Sequence, residues 1–306
     1  MKVETIASQY FDETDAVYNI KTGDHLTNLY YSYTKNRAPI GTVFFMHGFG
    51  GSPAEEFLLA AQQIALDIGF DIAAVEGVAL SATSGEPKDI NKMRLDHQRG
   101  ALMRGILRAK NNHGLCQNYN IAWAHSISCR ALSDLAMDSR FVSGFFDEFV
   151  LNNPYFITTT KLMKARARMM KRDPSGALWR NLADKVYMTR QDIAGKVFEV
   201  PNAPKCFDLP IPDVELSDIP LKTAYDISEK YNLGERCRGK HISFILGMDD
   251  TMAEYSINRR LIGGLKIPHK TIAVLDNADH AFQPNLRGYE NFSEIILNQI
   301  KSRAVK

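Results

Sequence analysis

The sequence predicts an α/β fold built on a mostly parallel β-sheet. Short apolar runs, typical of strands buried on both faces, alternate along the chain with longer segments whose apolar residues have helical spacing. Such alternation implies right-handed crossovers between parallel strands. The chain has 306 residues, of which 45% are hydrophobic, so it can bury the large core that this fold requires.

The first half of the chain opens with an antiparallel pair of strands. Apolar and polar residues alternate from 16 to about 34, with a turn sequence at 22–24, and this pattern predicts a hairpin. The apolar run 42–46 predicts a buried strand that ends at the glycine-rich sequence HGFGGSP, residues 47–53. The elements predicted after this loop are helices over 54–68, 88–110 and 127–137, and strands over 71–75, 119–125 and 149–151.

The rhythm of strands and helices breaks after residue 154. The stretch 155–239 contains helical segments separated by proline-rich sequences, and no strand is predicted in it. Strands return at 241–246 and 271–275. We expect the inserted stretch to lie over the carboxyl edge of the sheet, where the sites of α/β proteins are found. The predicted segments are a first core part (1–154), a helical cap or lid insertion (155–239) and a second core part (240–306).

Composition and charge limit the classes of function that the chain can have. The net charge of +2 at pH 7 gives no global field for binding nucleic acid. The N-terminal sequence has no apolar signal core and no uncharged run could cross a bilayer, so we expect a soluble, cytoplasmic protein. The cysteines lack metal-ligand spacing and, although their even number would also permit pairing, we expect free thiols; they are Cys116, Cys129, Cys206 and Cys237.

Residues 121–128, with the sequence IAWAHSIS, place Ser126 between a predicted strand and a predicted helix. The residues two positions away on either side, Ala124 and Ser128, are small, as a sharp strand-to-helix turn requires. Such a turn projects a serine hydroxyl from the edge of the sheet. Its usual form is G-x-S-x-G, so this chain adds a methyl and a hydroxymethyl group at the turn. The alternative is that Ser126 serves only as a helix N-cap.

A serine nucleophile needs a base that accepts its proton and a third group that orients the base. The sequence GMDD, residues 247–250, follows the predicted strand 241–246, and NADHAF, residues 277–282, follows the strand 271–275. Both sequences therefore fall at the edge of the sheet where Ser126 is expected. The chain order is serine, then aspartate, then histidine. This is the order of an α/β-hydrolase and not that of chymotrypsin-like or subtilisin-like folds.

With these motifs, and with Met-His-Gly-Phe-Gly-Gly at 46–51, the chain resembles the α/β-hydrolase superfamily. Within it, the chain is similar to capped serine esterases and lipases of the monoacylglycerol lipase and lysophospholipase type. The resemblance covers about 16–153 and 240–306, but not the insertion. It implies an α/β-hydrolase fold, a mostly parallel central sheet flanked by helices, with a helical cap.

The resemblance also implies roles for individual residues. Ser126 would be the nucleophile, His280 the base and Asp250 the orienting acid, and Asp249 is the alternative acid. Backbone N–H groups of Phe49 and Ile127 would form the oxyanion hole. The family sometimes places its acid after the strand 147–151, where this chain has Asn152, Asn153 and Pro154, none of which is an acid. Further supporting or pocket residues are His47, Gly48, His125 and Met248.

The function implied by this resemblance is cleavage of a carboxylic ester, in a small-molecule or lipid substrate, through an acyl-enzyme. No metal or organic cofactor is expected, because the serine chemistry requires none. Thioester hydrolysis, acyl transfer, and peptide or carbon–carbon bond cleavage use the same residues and stay open. A ligand receptor without catalytic activity on the same fold is the alternative from another class. Oligomeric state is left open.

Within the insertion, residues 161–172 predict a cationic amphipathic helix. Such a helix could cover the pocket and make transient contact with an anionic lipid surface. Arg166 falls within the apolar stripe, where it either extends toward solvent or binds an acidic group of the substrate. The alternative is a solvated charged face over an ordinarily packed lid.

Overall fold

The structure is a computed structural model, and its elements are numbered here in chain order. It describes residues 16–22, 25–32, 38–48, 55–75, 95–112, 118–156, 187–188, 219–220, 237, 239–250, 253 and 255–306. The strands within these residues are β1 Ala16–Thr22, β2 His25–Ser32, β3 Thr42–Met46, β4 Asp71–Val75, β5 Asn120–His125, β6 Glu148–Asn152, β7 Tyr187–Met188, β8 Ile219–Pro220, β9 His241–Gly247 and β10 His269–Leu275. The helices are α1 Glu56–Ile68, α2 Leu95–Asn112, α3 Ile127–Asp138, α4 Arg140–Phe145, α5 Tyr255–Gly264 and α6 Leu286–Ala304.

Eight of these strands form one sheet, in the order β1-β2-β4-β3-β5-β6-β9-β10. From β4 to β10 every neighbouring pair is parallel. The hairpin of β1 and β2 joins this parallel part through an antiparallel pairing of β2 with β4. The prediction of a mostly parallel sheet with an antiparallel opening is confirmed.

Helices cover both faces of the sheet, and the side chains of β3 show how. Phe44 and Met46 point into a core shared with α2, α3, α4 and α5, whereas Val43 and Phe45 point into a second core shared with α1 and α6. All four side chains are fully buried. Because both faces are covered, β3 is a continuous apolar run and not an alternating one.

The insertion differs from its prediction at two places. β7 and β8 pair antiparallel within 155–239, where no strand was predicted, because two residues are too few to carry a periodic pattern. Beyond these strands the structure describes only residues 155, 156, 237 and 239 of this stretch, so the cap stays a prediction. The basic helix at 161–172 and Arg166 lie outside the described residues.

Smaller differences concern the ends of elements. α2 spans Leu95–Asn112, and the first seven residues of the predicted helix 88–110 lie outside the described residues. β10 begins at His269, two residues before the predicted start, and the helices α4, α5 and α6 were not predicted. Cys129 and Cys237 are free thiols, whereas Cys116 and Cys206 lie outside the described residues. None of the helices that the structure describes is both long and apolar enough to span a membrane.

Candidate active site

Ser126 forms the turn between β5, which ends at His125, and α3, which begins at Ile127. Its φ of 55° and ψ of −124° lie in a region that residues other than glycine rarely adopt. Three backbone hydrogen bonds hold this conformation. The Ser126 N–H donates to the Asn152 carbonyl at 3.0 Å, and the Ser126 carbonyl accepts from the N–H groups of Tyr155 at 3.0 Å and Cys129 at 3.1 Å. The turn therefore has the strained geometry that projects a side chain from the sheet edge.

The Ser126 hydroxyl is part of a chain of hydrogen bonds. His280 Nε2 lies 2.8 Å from Ser126 Oγ, and His280 Nδ1 lies 2.8 Å from Asp250 Oδ2. Because a carboxylate only accepts, Nδ1 carries the proton that it donates to Asp250, and Nε2 is left to accept from the serine. The side chains of His280 and Asp250 are 14% and 2% exposed, so the contact between them is largely shielded from water.

Of the two aspartates in the turn after β9, Asp250 is the one that contacts His280. Asp250 is buried, and its Oδ1 accepts a hydrogen bond of 2.9 Å from the Ala253 N–H. Asp249 is exposed, and its backbone N–H donates to the Ala278 carbonyl. Met248, expected as a supporting or pocket residue, is 48% exposed.

The loop that carries His280 is held by Asp279. Asp279 Oδ1 accepts hydrogen bonds of 2.8 Å from the backbone N–H groups of Ala281 and Gln283. The His280 ring also packs against the ring of His125, with centroids 4.7 Å apart. The ring of Phe57, in α1, also contacts that of His125, with centroids 4.8 Å apart.

The three histidines near Ser126 have different proton affinities. Burial lowers the pKa of His280, but the negative charge of Asp250 and the hydrogen bond to it outweigh burial, and the net shift is upward. Burial lowers the pKa of His47 to about 4, although its Nδ1 donates to the Gly48 carbonyl. The pKa of His125 lies well below the ordinary value because of burial and of the neighbouring His280 and His47. Of these three histidines, only His280 has a raised pKa.

The loop after β3 lies directly against the serine turn. The Ser128 hydroxyl donates to the His47 carbonyl and accepts a hydrogen bond of 2.9 Å from Gln98 Nε2. Ile127 is the first residue of α3, and the N–H groups of a first helical turn have no partner within the helix. Phe49, the other predicted donor to an oxyanion, lies outside the described residues.

Three residues have structural roles here that were not predicted. Gln98 holds Ser128, Tyr289 accepts a hydrogen bond of 2.8 Å from Asn152 Nδ2, and Asn153 donates to the carbonyls of Asp279 and His280. The signal for Asn153 was its place directly after a buried strand. No comparable signal marks Gln98 or Tyr289. Gln98 lies in a helix that the sequence identifies only by its apolar spacing, and Tyr289 lies in α6, which was not predicted.

No protein-family model and no curated protein sequence matches this chain. Solved structures do match it. The α/β hydrolase GrgF from Penicillium sp. sh18 has a TM-score of 0.66 and 14% identity over 94% of this chain and 99% of its own. A soluble variant of monoglyceride lipase from Saccharomyces cerevisiae has a TM-score of 0.62 and 12% identity over 94% of each chain.

A third structure, Est1E from Butyrivibrio proteoclasticus with bound ferulic acid, has a TM-score of 0.62 and 14% identity. The match covers 92% of this chain and 99% of Est1E. Identities this low carry information about fold and not about substrate. Together with the strand order and the position of the serine turn, they identify the chain as a protein with the α/β-hydrolase fold.

Proposed function

We propose that this protein is a serine hydrolase that cleaves carboxylic esters through an acyl-enzyme. The observation that carries the proposal is the hydrogen-bonded chain from Ser126 through His280 to Asp250. The alternative of a simple helix cap has no support, because the Ser126 side chain makes no capping hydrogen bond to α3. Its hydroxyl points to a histidine that a buried carboxylate orients.

In the proposed reaction, Ser126 Oγ attacks the ester carbonyl carbon while His280 Nε2 accepts the hydroxyl proton. Asp250 stabilises the resulting imidazolium. His280 then gives the proton to the leaving alcohol, which departs as the carbon–oxygen bond breaks and leaves an acyl-serine. A water molecule activated by His280 hydrolyses the acyl-serine and releases the carboxylic acid.

We assign the oxyanion hole to the backbone N–H groups of Ile127 and Phe49. Ile127 supports this assignment through its place at the first turn of α3, where N–H groups lack the i−4 carbonyl partners of a helix interior and the helix dipole favours negative charge. Each such donor contributes roughly 3 to 4 kcal/mol to the stability of a transition state.

Labelling with a fluorophosphonate tests the proposed nucleophile. We expect one covalent adduct, on Ser126, in the folded protein, and none in Ser126→Ala. Ser133→Ala is the matched control, because Ser133 is a buried serine of α3, the helix that follows Ser126, and its hydroxyl donates to the Cys129 carbonyl. A folded wild-type protein without an adduct would contradict the proposal and favour a receptor without catalytic activity.

The substrate class needs a separate measurement. The similar structures include a monoglyceride lipase and a protein that holds ferulic acid. Substrates with aliphatic and with aromatic acyl groups should therefore both be tested. We propose an ester with an apolar acyl part, bound beneath the predicted cap. Rates with p-nitrophenyl esters of graded length, monoacylglycerols and feruloyl esters test this choice, and thioesters and added acyl acceptors test the related reactions.

We further propose that the enzyme is cytoplasmic and that the basic helix predicted at 161–172, with Arg166, touches anionic lipid. Hydrolysis should then be faster on anionic than on neutral vesicles, and Arg166→Ala should reduce the difference. Equal rates on both vesicles would leave the helix with no role in lipid binding.

A further inference from the structure

We infer that Asn153 is a positioning residue, whose side-chain amide fixes the separation of the turn that carries Asp250 and the loop that carries His280. The inference rests on the proposed function, because it concerns the alignment of the same site. Asn153 follows β6 directly, and it does not touch the reacting atoms.

The amide of Asn153 bridges two loops. Its Oδ1 accepts a hydrogen bond of 2.7 Å from the Gly247 N–H, at the end of β9. Its Nδ2 donates to the backbone carbonyls of Asp279 and His280, each at 3.0 Å. One planar group thus holds both the strand that leads into Asp250 and the backbone of the proposed base.

The position of Asn153 is itself fixed. Its side chain is buried, and its backbone N–H donates to the Ile245 carbonyl at 2.8 Å. Its φ is 39°, in the left-handed region that asparagine tolerates better than most residues. The amide is therefore held rigidly and presents one acceptor and two donors in fixed directions.

Gly247 shows how closely the two loops approach. A β-carbon at this position would lie 2.4 Å from the Ala278 carbonyl oxygen and 2.5 Å from that of Asp279. The backbones of the two loops are thus in direct contact, and Asn153 joins them from the β6 side. If this link is lost, the 2.8 Å contact between His280 Nδ1 and Asp250 Oδ2 loses one of its restraints.

The bonding pattern needs an amide and not an acid. Both groups facing Nδ2 are carbonyl oxygens, which only accept, so a carboxylate here would place a third acceptor oxygen against them where the amide places a donor. The amide also points at the backbone of His280 and not at its ring. The residue after β6 is thus suited to hold the base loop and not to act as a second acid.

Two variants test the inference. Asn153→Asp keeps the size and the acceptor for Gly247 but removes both donors. Asn153→Gly removes the amide and relieves the constraint on φ. Asn120→Ala is the control, because Asn120 is a buried asparagine at the opposite edge of the sheet whose Nδ2 also donates to a carbonyl, that of Phe145.

We expect kcat and the rate of fluorophosphonate labelling to fall about 10- to 100-fold in both variants with little change in KM, because small misalignments of catalytic groups cost this much. In Asn153→Gly the acid limb of kcat/KM should also move to lower pH, as His280 separates from Asp250. Asn120→Ala should lower stability but keep the wild-type rate and pH profile.

Rates are measured per folded molecule, on the monodisperse fraction. Wild-type kcat, labelling rate and pH profile in folded Asn153→Asp would overturn the inference, whatever the yield of Asn153→Gly. A wild-type protein that is not labelled at all would instead contradict the proposed function, so the two failures are distinguishable.

Discussion

Gly48 and Ser126 lie so close together that a β-carbon at position 48 would stand 2.8 Å from the Ser126 Cβ. It would also stand 2.9 Å from Cδ2 of His125. Real β-carbons do not come this close to other atoms, so the contact requires glycine. The absence of a side chain lets the backbone after β3 reach the serine turn, which is where an oxyanion hole must be built.

Gly48→Ala should therefore reduce kcat/KM and fluorophosphonate labelling by at least about 100-fold, because the loop or the serine turn must shift to accept the methyl group. Gly100→Ala is the control: a β-carbon there meets nothing within 4 Å, and the variant should keep its rate. Because Gly100 lies in α2, its replacement by alanine should also raise the free energy of unfolding of the protein by roughly 0.5 to 1 kcal/mol. Normal activity of Gly48→Ala would mean that this loop takes no part in catalysis.

Ser128 stands where this kind of turn usually has glycine, and its hydroxyl links the His47 carbonyl to Gln98 of α2. Ser128→Ala keeps the β-carbon but removes the hydroxyl that bonds both the His47 carbonyl and the Gln98 amide. We expect a loss of about 1 to 3 kcal/mol in the free energy of unfolding. Urea denaturation measures it, and kcat/KM should fall as well because the His47 carbonyl is released. A variant as stable as wild type would show that the link contributes nothing.

Replacement of each of the two aspartates after β9 by asparagine should have very different effects on kcat. Asp250→Asn should lower kcat by about 10³- to 10⁴-fold, because an amide no longer holds the tautomer in which His280 Nε2 accepts the serine proton. Asp249→Asn should have little effect, since Asp249 is exposed. Steady-state kinetics on the two variants settles the choice, and a loss confined to Asp249→Asn would reverse it.

Much of the central sheet could be predicted from the sequence because strands buried on both faces leave unmistakable apolar runs. β3, with the sequence TVFFM, shows this well: all its side chains are buried, and its predicted ends match the observed ones. Motifs placed at the ends of such runs meet at one edge of a parallel sheet. For that reason Ser126, Asp250 and His280 could be named before their distances were known.

Side-chain links between distant segments could not be predicted in the same way. The bond from Gln98 to Ser128 joins residues 30 positions apart, and the bonds from Asn153 to Asp279 and His280 span more than 120. No local periodicity encodes such partners, because they depend on how helices and loops pack after the sheet has formed. Likewise β7 and β8 are too short to show a pattern.

Titration of His280 should set the acid limb of kcat/KM. The imidazole must be neutral to accept the serine proton, and Asp250 raises its pKa by charge and by a hydrogen bond. Activity should therefore be full at higher pH and should fall as pH drops through a value above about 6.5, the ordinary pKa of histidine. In Asp250→Asn the acid limb of the residual activity should move to lower pH, because the group that raises the pKa of His280 is gone.

If another buried histidine were the base, the pH profile of kcat/KM would differ. The pH dependence is therefore a test of His280. The pKa of His47 is lowered to about 4 by burial, so a limb set by His47 would lie well below pH 6. kcat/KM is measured from pH 4 to 9 with circular dichroism at each pH, so that acid unfolding is not mistaken for titration. Asp249→Asn should keep the wild-type limb. If instead the limb stays in place when Asp250 is replaced, His280 is not the group that titrates, and the proposed base must be sought elsewhere in the site.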